Sequence, residues 1–438
     1  MRVRTGRRPG GLAALAILAA VAVQAAGAPP SRAGEVDRGE YVARAADCVA
    51  CHSVPGGPAF GGGLKMGSPL GAIYATNISP DLQGGIGRYT LEDFTRALRD
   101  GVARDGHHIY PAMPYPSYAK LSDDDIQALY GYFMHQVPPS QQATPANEIP
   151  WVLSFRWPLA LWNVAFGGGA PYASKPGHDA VWNRGAYLVQ GPGHCGACHT
   201  PRGVAIQEKA LDETSESFLA GAVLDGWSAP NLRGNKRTGL GSWTEDDVAT
   251  FLRTGHNRFG SAFGSMVDVL NNSTPFLDDP DLHAMAVYLK SLPPTADEPD
   301  YVYDPATTQA VRQSVSARSP GAVVYAARCA SCHGSDGRGL GASMPPVAGN
   351  PTVMDPHPES LINLTLNGSA PLAVKGAPDP YRMPQFRAEL SDEQVAAVLT
   401  FIRGGWGNGA AAVTPGAVAE LRRSTDPTSD KVVLLRMR

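Results

Sequence analysis

One arrangement of short amphipathic helices recurs three times along the chain. The last helix of each copy has apolar residues at helical spacing behind an acidic first turn, as in Ile126, Leu129 and Phe133 after Asp123 and Asp124. These last helices are predicted at residues 126–135, 282–289 and 394–403, and a middle helix is predicted before each at residues 90–99, 244–254 and 358–366. The pattern predicts an all-α fold built from three tandem domains.

A first helix opens each copy and carries a glycine followed closely by a tyrosine. The pairs are Gly39 and Tyr41, Gly185 and Tyr187, and Gly321 and Tyr325. Glycine lacks the side chain that would hold two helices apart. We therefore expect this helix to cross another one closely at the glycine, with the tyrosine packed beside the crossing.

Pro-rich and polar stretches separate the three copies. They place the domains at residues 35–140, 173–293 and 318–408, with linkers at 141–172 and 294–317 and a C-terminal tail at 409–438. The first linker contains four large aromatic residues, Trp151, Phe155, Trp157 and Trp162. Because most large apolar side chains are used for packing, we expect this aromatic strap to pack across the first two domains rather than to form a docking patch.

The composition of the 438-residue chain is rich in glycine and proline and poor in charge. The formal net charge is −3 and only 18% of residues are charged, so nothing indicates a nucleic-acid partner. The 49 glycines and 38 prolines favour short helices joined by long loops.

The first 33 residues have the pattern of a secretory signal peptide. A basic start is followed by an unbroken apolar run at residues 12–23, and small residues then allow cleavage after Ala28 or Ala33. The apolar run is shorter than the roughly 20 residues of a transmembrane helix. We therefore expect the mature chain to be exported from the cytoplasm.

The six cysteines form three C-x-x-C-H motifs. These are Cys48, Cys51 and His52; Cys195, Cys198 and His199; and Cys329, Cys332 and His333. This spacing is the attachment signature of haem c, in which the thiols bond the haem covalently and the histidine is the proximal iron ligand. A zinc site would need cysteine pairs close together in the chain, and no cysteine remains for a disulfide. The motifs predict three covalent haem c groups and electron transfer.

A second axial ligand is expected on a loop before the last helix of each domain. Met113, Met266 and Met383 occupy that position, and a haem that only carries electrons commonly takes methionine there. Met354 is an alternative without the shared loop position. His107, His108 and His256 could instead make bis-histidine haems. With three methionine ligands no iron would have an open site, which disfavours oxygen or peroxide chemistry.

Several longer stretches carry a family resemblance. They are residues 74–81 (YATNISPD), 110–115 (YPAMPY), 156–159 (RWPL), 198–203 (CHTPRG), 263–266 (FGSM), 272–274 (NST) and 347–351 (VAGNP). With the three haem motifs, they make the chain resemble the triheme cytochrome c subunits of bacterial membrane-bound dehydrogenases, which act on alcohols, sugars or sugar acids. The resemblance covers nearly the whole chain after the signal peptide.

The resemblance implies a relay on the periplasmic side of the cytoplasmic membrane. A large flavin or PQQ dehydrogenase subunit, with or without a small subunit, would supply electrons, and ubiquinone at the inner-membrane surface would receive them. Members often carry a hydrophobic C-terminal membrane segment, whereas the apolar run at residues 432–435 is too short to span a bilayer. A free-standing periplasmic electron carrier and a haem enzyme such as a peroxidase are the alternative functions.

Overall fold

The computed structural model of the chain describes residues 37–68, 71–313, 319–341, 343–369, 374 and 381–427. The predicted signal peptide at residues 1–33 and the apolar run at 432–435 lie outside these residues. Residues 37–140 are called the first segment below, 173–293 the second segment and 301–427 the third segment, while residues 151–166 are called the strap.

The first segment contains five helices and one hairpin among its described residues. In chain order these are α1 (Arg38–Ala45), α2 (Cys48–Cys51), strands β1 (Lys65–Ser68) and β2 (Gly71–Tyr74), α3 (Leu91–Asp100), α4 (Tyr115–Tyr118) and α5 (Asp123–His135). The antiparallel register pairs Lys65 with Tyr74. Thr90 and Asp93 form a capping box at the start of α3, and Ser122 caps α5, so that α5 begins at Asp123, three residues before the predicted start and within the acidic turn. The strap follows, with a 3₁₀ turn (Trp151–Leu153) and helix α6 (Trp157–Phe166).

The second segment repeats the order of the first with additional short elements. These are α7 (Ala180–Gln190), α8 (Gly196–His199), β3 (Ala222–Leu224), β4 (Trp227–Ala229), α9 (Glu245–Thr254), β5 (His256–Asn257), β6 (Gly260–Ser261), α10 (Met266–Asn272), a 3₁₀ turn (Thr274–Phe276) and α11 (Asp279–Ser291). Met266 was expected on an irregular loop, but it is the first residue of α10. The small hairpins mean that the chain is helix-rich rather than strictly all-α.

The third segment is described entirely by helices and loops. Its helices are α12 (Ala306–Arg312), α13 (Pro320–Arg328), α14 (Ala330–His333), α15 (Pro351–Met354), α16 (Glu359–Asn367), α17 (Asp392–Gly404) and α18 (Pro415–Ser424). The stretch expected to be a tail thus contains a helix, whose Val418 and Leu421 are buried in the third segment. Likewise, α12 lies in the stretch expected to be the second linker, and its Val311 belongs to the same core.

The glycines of the three first helices lie where those helices cross the last ones, as predicted. A Cβ atom added to Gly39 would lie 2.3 Å from the Ala128 carbonyl oxygen, and one added to Gly321 would lie 2.3 Å from that of Ala397. At Gly185 the distance to the Ala284 oxygen would be only 1.9 Å. A side chain at any of these positions would force the two helices apart.

Buried apolar residues form two main cores. One core runs through the first and second segments together and includes Leu121, Phe133 and Tyr288. The other belongs to the third segment and includes Tyr325 and Trp406. The first two segments therefore pack as one body around a shared core.

The expectation that the strap buries its aromatic residues is wrong for three of the four. Trp151, Phe155 and Trp157 are 73%, 53% and 67% exposed, and α6 has no buried residue. Of the four, only half-buried Trp162 contacts both segments, because its indole N–H donates to the Ala205 carbonyl at 2.9 Å and its ring meets Tyr115 edge-on. The strap thus touches both segments along one narrow side. Within the described residues, no helix is both long and apolar enough to cross a membrane.

Candidate haem attachment sites

Each C-x-x-C-H motif folds as a single helical turn. The backbone N–H of His52 donates to the Cys48 carbonyl at 3.0 Å, and His199 and His333 make the same bond to Cys195 and Cys329, both at 2.9 Å. A turn of this kind places residues three and four positions apart on the same face of a helix. Both thiols and the imidazole of each motif are therefore presented along one side of the turn, as haem c attachment requires.

The orientation of the three motif histidines is fixed in the same way. The Nδ1 atom of His52 lies 2.6 Å from the Thr76 carbonyl oxygen, that of His199 lies 2.7 Å from the Pro230 oxygen, and that of His333 lies 2.9 Å from the Pro345 oxygen. A carbonyl oxygen only accepts hydrogen bonds, so Nδ1 must carry the proton. The lone pair is then on Nε2, which is the atom free to bind a metal.

Burial keeps these groups neutral. Desolvation lowers the pKa of His52, His199 and His333 below the ordinary value, partly opposed by the hydrogen bond to the carbonyl. It raises the pKa of the Cys48 and Cys195 thiols to about 12, and that of Cys198 and Cys329 to about 11. Thiols in such surroundings do not ionise readily.

A protein-held metal ion does not fit the described residues. They contain no group of three or more histidine, cysteine or acidic side chains that could bind one. Each motif instead offers one neutral imidazole nitrogen and two free thiols, five of the six thiols being half-buried and that of Cys198 exposed, which is the donor set of a haem that brings its own iron. The residues present therefore fit haem c.

The three predicted methionine ligands all lie at the edge of a core. Met113 is held in a tight turn, in which its N–H donates to Tyr110 and its carbonyl accepts from the N–H of Tyr115. Met383 is tied to Ser369, whose hydroxyl accepts the Met383 N–H at 2.8 Å. Met266, at the start of α10, touches both the shared core and a small cluster formed by Val267, Leu270 and Val374.

The alternative ligands differ from one another in their surroundings. Met354 is buried in α15 as part of the third segment's interior, and His107 lies on the surface beside Asp105. His108 is held through Nδ1 by Asn163 at 3.1 Å. His256 is buried, and its Nε2 has no hydrogen-bond partner in the part of the chain that the structure describes. Among the alternatives, His256 is therefore the best candidate to replace Met266 as an iron ligand, although its position in the sequence did not favour it.

The sequence did not reveal the partners of the motif histidines. Thr76, Pro230 and Pro345 follow their histidines at separations of 24, 31 and 12 residues. No constant spacing marks them, although Thr76 lies within the YATNISPD stretch that carried the family resemblance.

Comparisons with known proteins agree with this geometry. The cytochrome c family model matches residues 36–136 and 319–406. The cytochrome c subunit of the quinone-dependent alcohol dehydrogenase of Komagataeibacter europaeus is 46% identical over 95% of this chain and 90% of that subunit. The gluconate 2-dehydrogenase cytochrome c subunit of Pantoea cypripedii is 50% identical over 89% of each chain, and the fructose dehydrogenase cytochrome subunit of Gluconobacter japonicus is 37% identical over 88% of this chain and 82% of that subunit.

These relatives are similar along nearly their whole length, so the likeness is not confined to one motif. Together with the histidine geometry they establish covalently bound haem c as the cofactor and electron transfer as the activity. The chain belongs to the family of cytochrome c subunits of alcohol, gluconate and fructose dehydrogenases, and it is a non-catalytic electron-transfer subunit of such a complex.

Proposed function

We propose that the chain holds three haem c groups in three cytochrome c domains and relays electrons between a dehydrogenase and ubiquinone. The thiols of Cys48 and Cys51, Cys195 and Cys198, and Cys329 and Cys332 attach the haems. His52, His199 and His333 are the proximal iron ligands, and Met113, Met266 and Met383 are the distal ligands. A bound haem supplies an iron that takes up and releases one electron at a time.

The observation that carries this proposal is the threefold repetition of one histidine arrangement. In all three motifs a backbone carbonyl accepts a hydrogen bond from the Nδ1–H group and leaves Nε2 available. A motif that had lost its haem would be under no constraint to keep this bond. That the second motif has it matters most, because the matched ranges of the cytochrome c family model do not include that segment.

The packing of the segments supports a relay. The first and second motifs lie in segments with a common core, so their haems would be close neighbours. The second and third segments meet at Ser228 and Ser360, which exchange two hydrogen bonds of 2.8 and 2.9 Å. The second segment is thus in contact with both others, and we propose that its haem is the middle one.

The partners of the relay follow from the relatives. Their names are those of subunits of alcohol, gluconate and fructose dehydrogenases. We propose a large catalytic subunit with flavin or PQQ as electron donor, with or without a small subunit, and ubiquinone as acceptor. We also propose that the complex lies on the periplasmic side of the cytoplasmic membrane, because a signal peptide is predicted and haem c is attached outside the cytoplasm.

The first test is the haem count and the second ligand of the middle haem. Denaturing mass spectrometry of the purified cytochrome should give the polypeptide plus three haem masses, and a mass with two would contradict the proposal. Replacing Met266 by Ala should leave all three haems attached, lower one reduction potential and open one iron to carbon monoxide.

The matched variants are His256→Gln and Met354→Leu, and both should keep the wild-type redox titration and carbon monoxide response. If His256→Gln changed the titration while Met266→Ala did not, His256 would be the ligand of the second haem. A high-spin band in the oxidised wild-type protein would instead indicate an open iron and favour a haem enzyme.

A further inference from the structure

The strap presents a continuous apolar surface on the side that faces away from the protein. Along α6 the exposed positions recur at helical spacing, with Trp157, Leu161 and Val164 exposed by 67%, 65% and 87%. Trp151 and Phe155 extend the same surface ahead of the helix, where their rings pack edge-on with centroids 6.0 Å apart. Three aromatic side chains exposed to this extent show roughly 400 Å² of apolar area between them, already as much as the largest apolar patch of a typical soluble monomer.

The opposite side of the strap uses all of its polar groups against the protein. Arg156 donates to the His108 carbonyl at 2.8 Å and lies 3.8 Å from the centre of the Tyr110 ring. Asn163 accepts the Tyr115 hydroxyl at 2.6 Å and donates to the Asp100 carbonyl at 2.7 Å. Arg156 is the only charged residue between Glu148 and Lys175. The outward side is therefore left without charge.

A second stretch of chain adds to this surface. Trp162 of the strap donates to the Ala205 carbonyl, and of the two residues that flank Ala205, Val204 is fully exposed and Ile206 is 45% exposed. A lone exposed valine is ordinary. The exposed apolar loop of the second segment lies beside the exposed apolar helix of the strap. Together they form one common surface.

We infer that the strap and the loop at residues 203–206 insert into the interfacial layer of a lipid bilayer. The ten residues of α6 are about 15 Å long, too short for the roughly 30 Å hydrocarbon core, so the helix lies along the membrane rather than across it. Tryptophan is the residue typical of this layer. The outward surface of the strap presents mainly apolar side chains and no charged group, and a bilayer is an occupant that requires no fixed register of polar contacts.

A protein partner fits this surface less well. A stable protein interface takes about 20–30 residues a side and about one hydrogen bond per 100–200 Å². The strap offers a narrow row of apolar side chains, and its exposed serine, Ser154, donates its hydroxyl back to the Trp151 carbonyl at 2.7 Å. The absence of charge also means that attachment should depend on apolar area rather than on anionic lipid.

The strap also contacts the turn that contains the predicted haem ligand Met113. Arg156 and Asn163 hold Tyr110 and Tyr115, the two residues that bracket the turn of Met113. The haem bound by His52 and Met113 would therefore be the one held nearest the membrane. This point alone rests on the proposed function. Vesicle binding itself does not require any haem assignment.

The test uses the purified, haem-loaded full-length cytochrome and vesicles of pure phosphatidylcholine. The wild-type protein should float with the vesicles in a density gradient, at high salt as well as at low salt. A double change, Leu161→Glu with Val164→Asp, should reduce the vesicle-bound fraction at least about tenfold, because charged side chains at the insertion surface oppose partitioning. Both positions are exposed, so the variant should keep the wild-type visible spectrum and melting temperature.

The matched control changes two apolar residues of similar exposure elsewhere, Leu82→Glu with Val302→Asp, which are 61% and 74% exposed in the wild type. It should bind vesicles like the wild type. If the wild-type protein stayed in solution, or if the strap variant floated normally, the inference would be wrong. A strap variant that floats normally but no longer copurifies with the dehydrogenase subunit would identify a protein partner instead. Haem spectra and haem mass report separately on the proposed function.

Discussion

The first and second segments join into one body, whereas the third, built on the same plan, keeps a core of its own. Between the first two, the contacts are reciprocal. The Tyr41 hydroxyl donates to Asp281 at 2.6 Å, and the Tyr187 hydroxyl donates to Asp125. Each tyrosine lies two residues after a helix-crossing glycine and reaches the third residue of the other segment's last helix. Two side chains per copy thus tie the segments together.

Each of these aspartates is also paired within its own segment. Arg38 donates to Asp125 at 2.8 Å, and Arg184 donates to Asp281 at 2.7 and 2.6 Å. The carboxylates are buried, and such groups are stable only when they are paired and hydrogen-bonded. The same acid therefore satisfies its own first helix and the neighbour's tyrosine.

The third segment differs at both positions. Its tyrosine, Tyr325, follows the crossing glycine by four residues and donates to the Gly334 carbonyl of its own segment at 2.7 Å. The place of the aspartate is taken by exposed Gln394, which closes the capping box of α17. Contact with the second segment instead uses hydrogen bonds that involve backbone groups, such as Asn363 donating to the Gly226 carbonyl and Arg237 donating to the Gly407 carbonyl, both at 3.0 Å. The third segment thus lacks both side chains of the exchange that ties the first two segments together.

The largest expected effect on stability comes from truncating a large buried side chain in either core. Trp406 is fully buried against Tyr325, and Trp406→Ala should destabilise the third segment by about 3–5 kcal/mol. In urea unfolding followed at the haem bands, this should move one transition and leave the other in place. Phe133→Ala in the shared core should move the first and second segments together by a similar amount. One transition that shifts as a whole in both variants would contradict two independent cores.

A smaller effect is expected from the shared carboxylates. Asp281→Ala removes the acceptor of both Tyr41 and Arg184, which should cost the shared unit about 2 kcal/mol, because the partly exposed guanidinium can turn to water. Gln394→Ala at the matching position of the third segment should cost only about 0.5 kcal/mol, the value of part of a helix cap. Equal losses at the two positions, measured by urea unfolding, would mean that the Tyr–Asp exchange adds nothing.

The sequence predicted what depends on local pattern. The last helices were found because acidic residues stand at their starts, and the structure shows that Ser122, Asp278 and Ser391 cap them. Strands of two to four residues are too short to show an alternating pattern, and α18 was hidden in an Ala-, Gly- and Pro-rich stretch. The cysteines and histidines of the site were readable from the motif.

Tertiary relations could not be read in the same way. The tyrosines of the first helices were expected to pack beside the glycines, but nothing local shows that Tyr41 pairs with an acid 240 residues away. The strap has the composition of a packed segment, yet its aromatic residues find too little protein to cover them. Burial depends on what the rest of the chain brings to a residue, and a single stretch does not contain that information.

The smallest expected effect on stability comes from removing the hydroxyl groups of the two tyrosines that join the first two segments. Tyr41→Phe or Tyr187→Phe should each cost the shared unit about 1 kcal/mol at neutral pH, since the ring stays in place and each aspartate keeps its arginine. Tyr325→Phe should instead affect only the third segment.

Burial and the adjacent carboxylates raise the pKa of Tyr41 and Tyr187 above the ordinary 10.0. Above pH 10 the unfolded chain therefore binds fewer protons than the folded one, and stability falls as pH rises. The double variant Tyr41→Phe with Tyr187→Phe should lose less stability between pH 9 and 11 than the wild type, although buried Tyr288 keeps part of the decline. Urea midpoints measured across that pH range decide the matter: a wild-type alkaline slope in the double variant would show that these hydroxyls do not join the first two segments in the way the exchange requires.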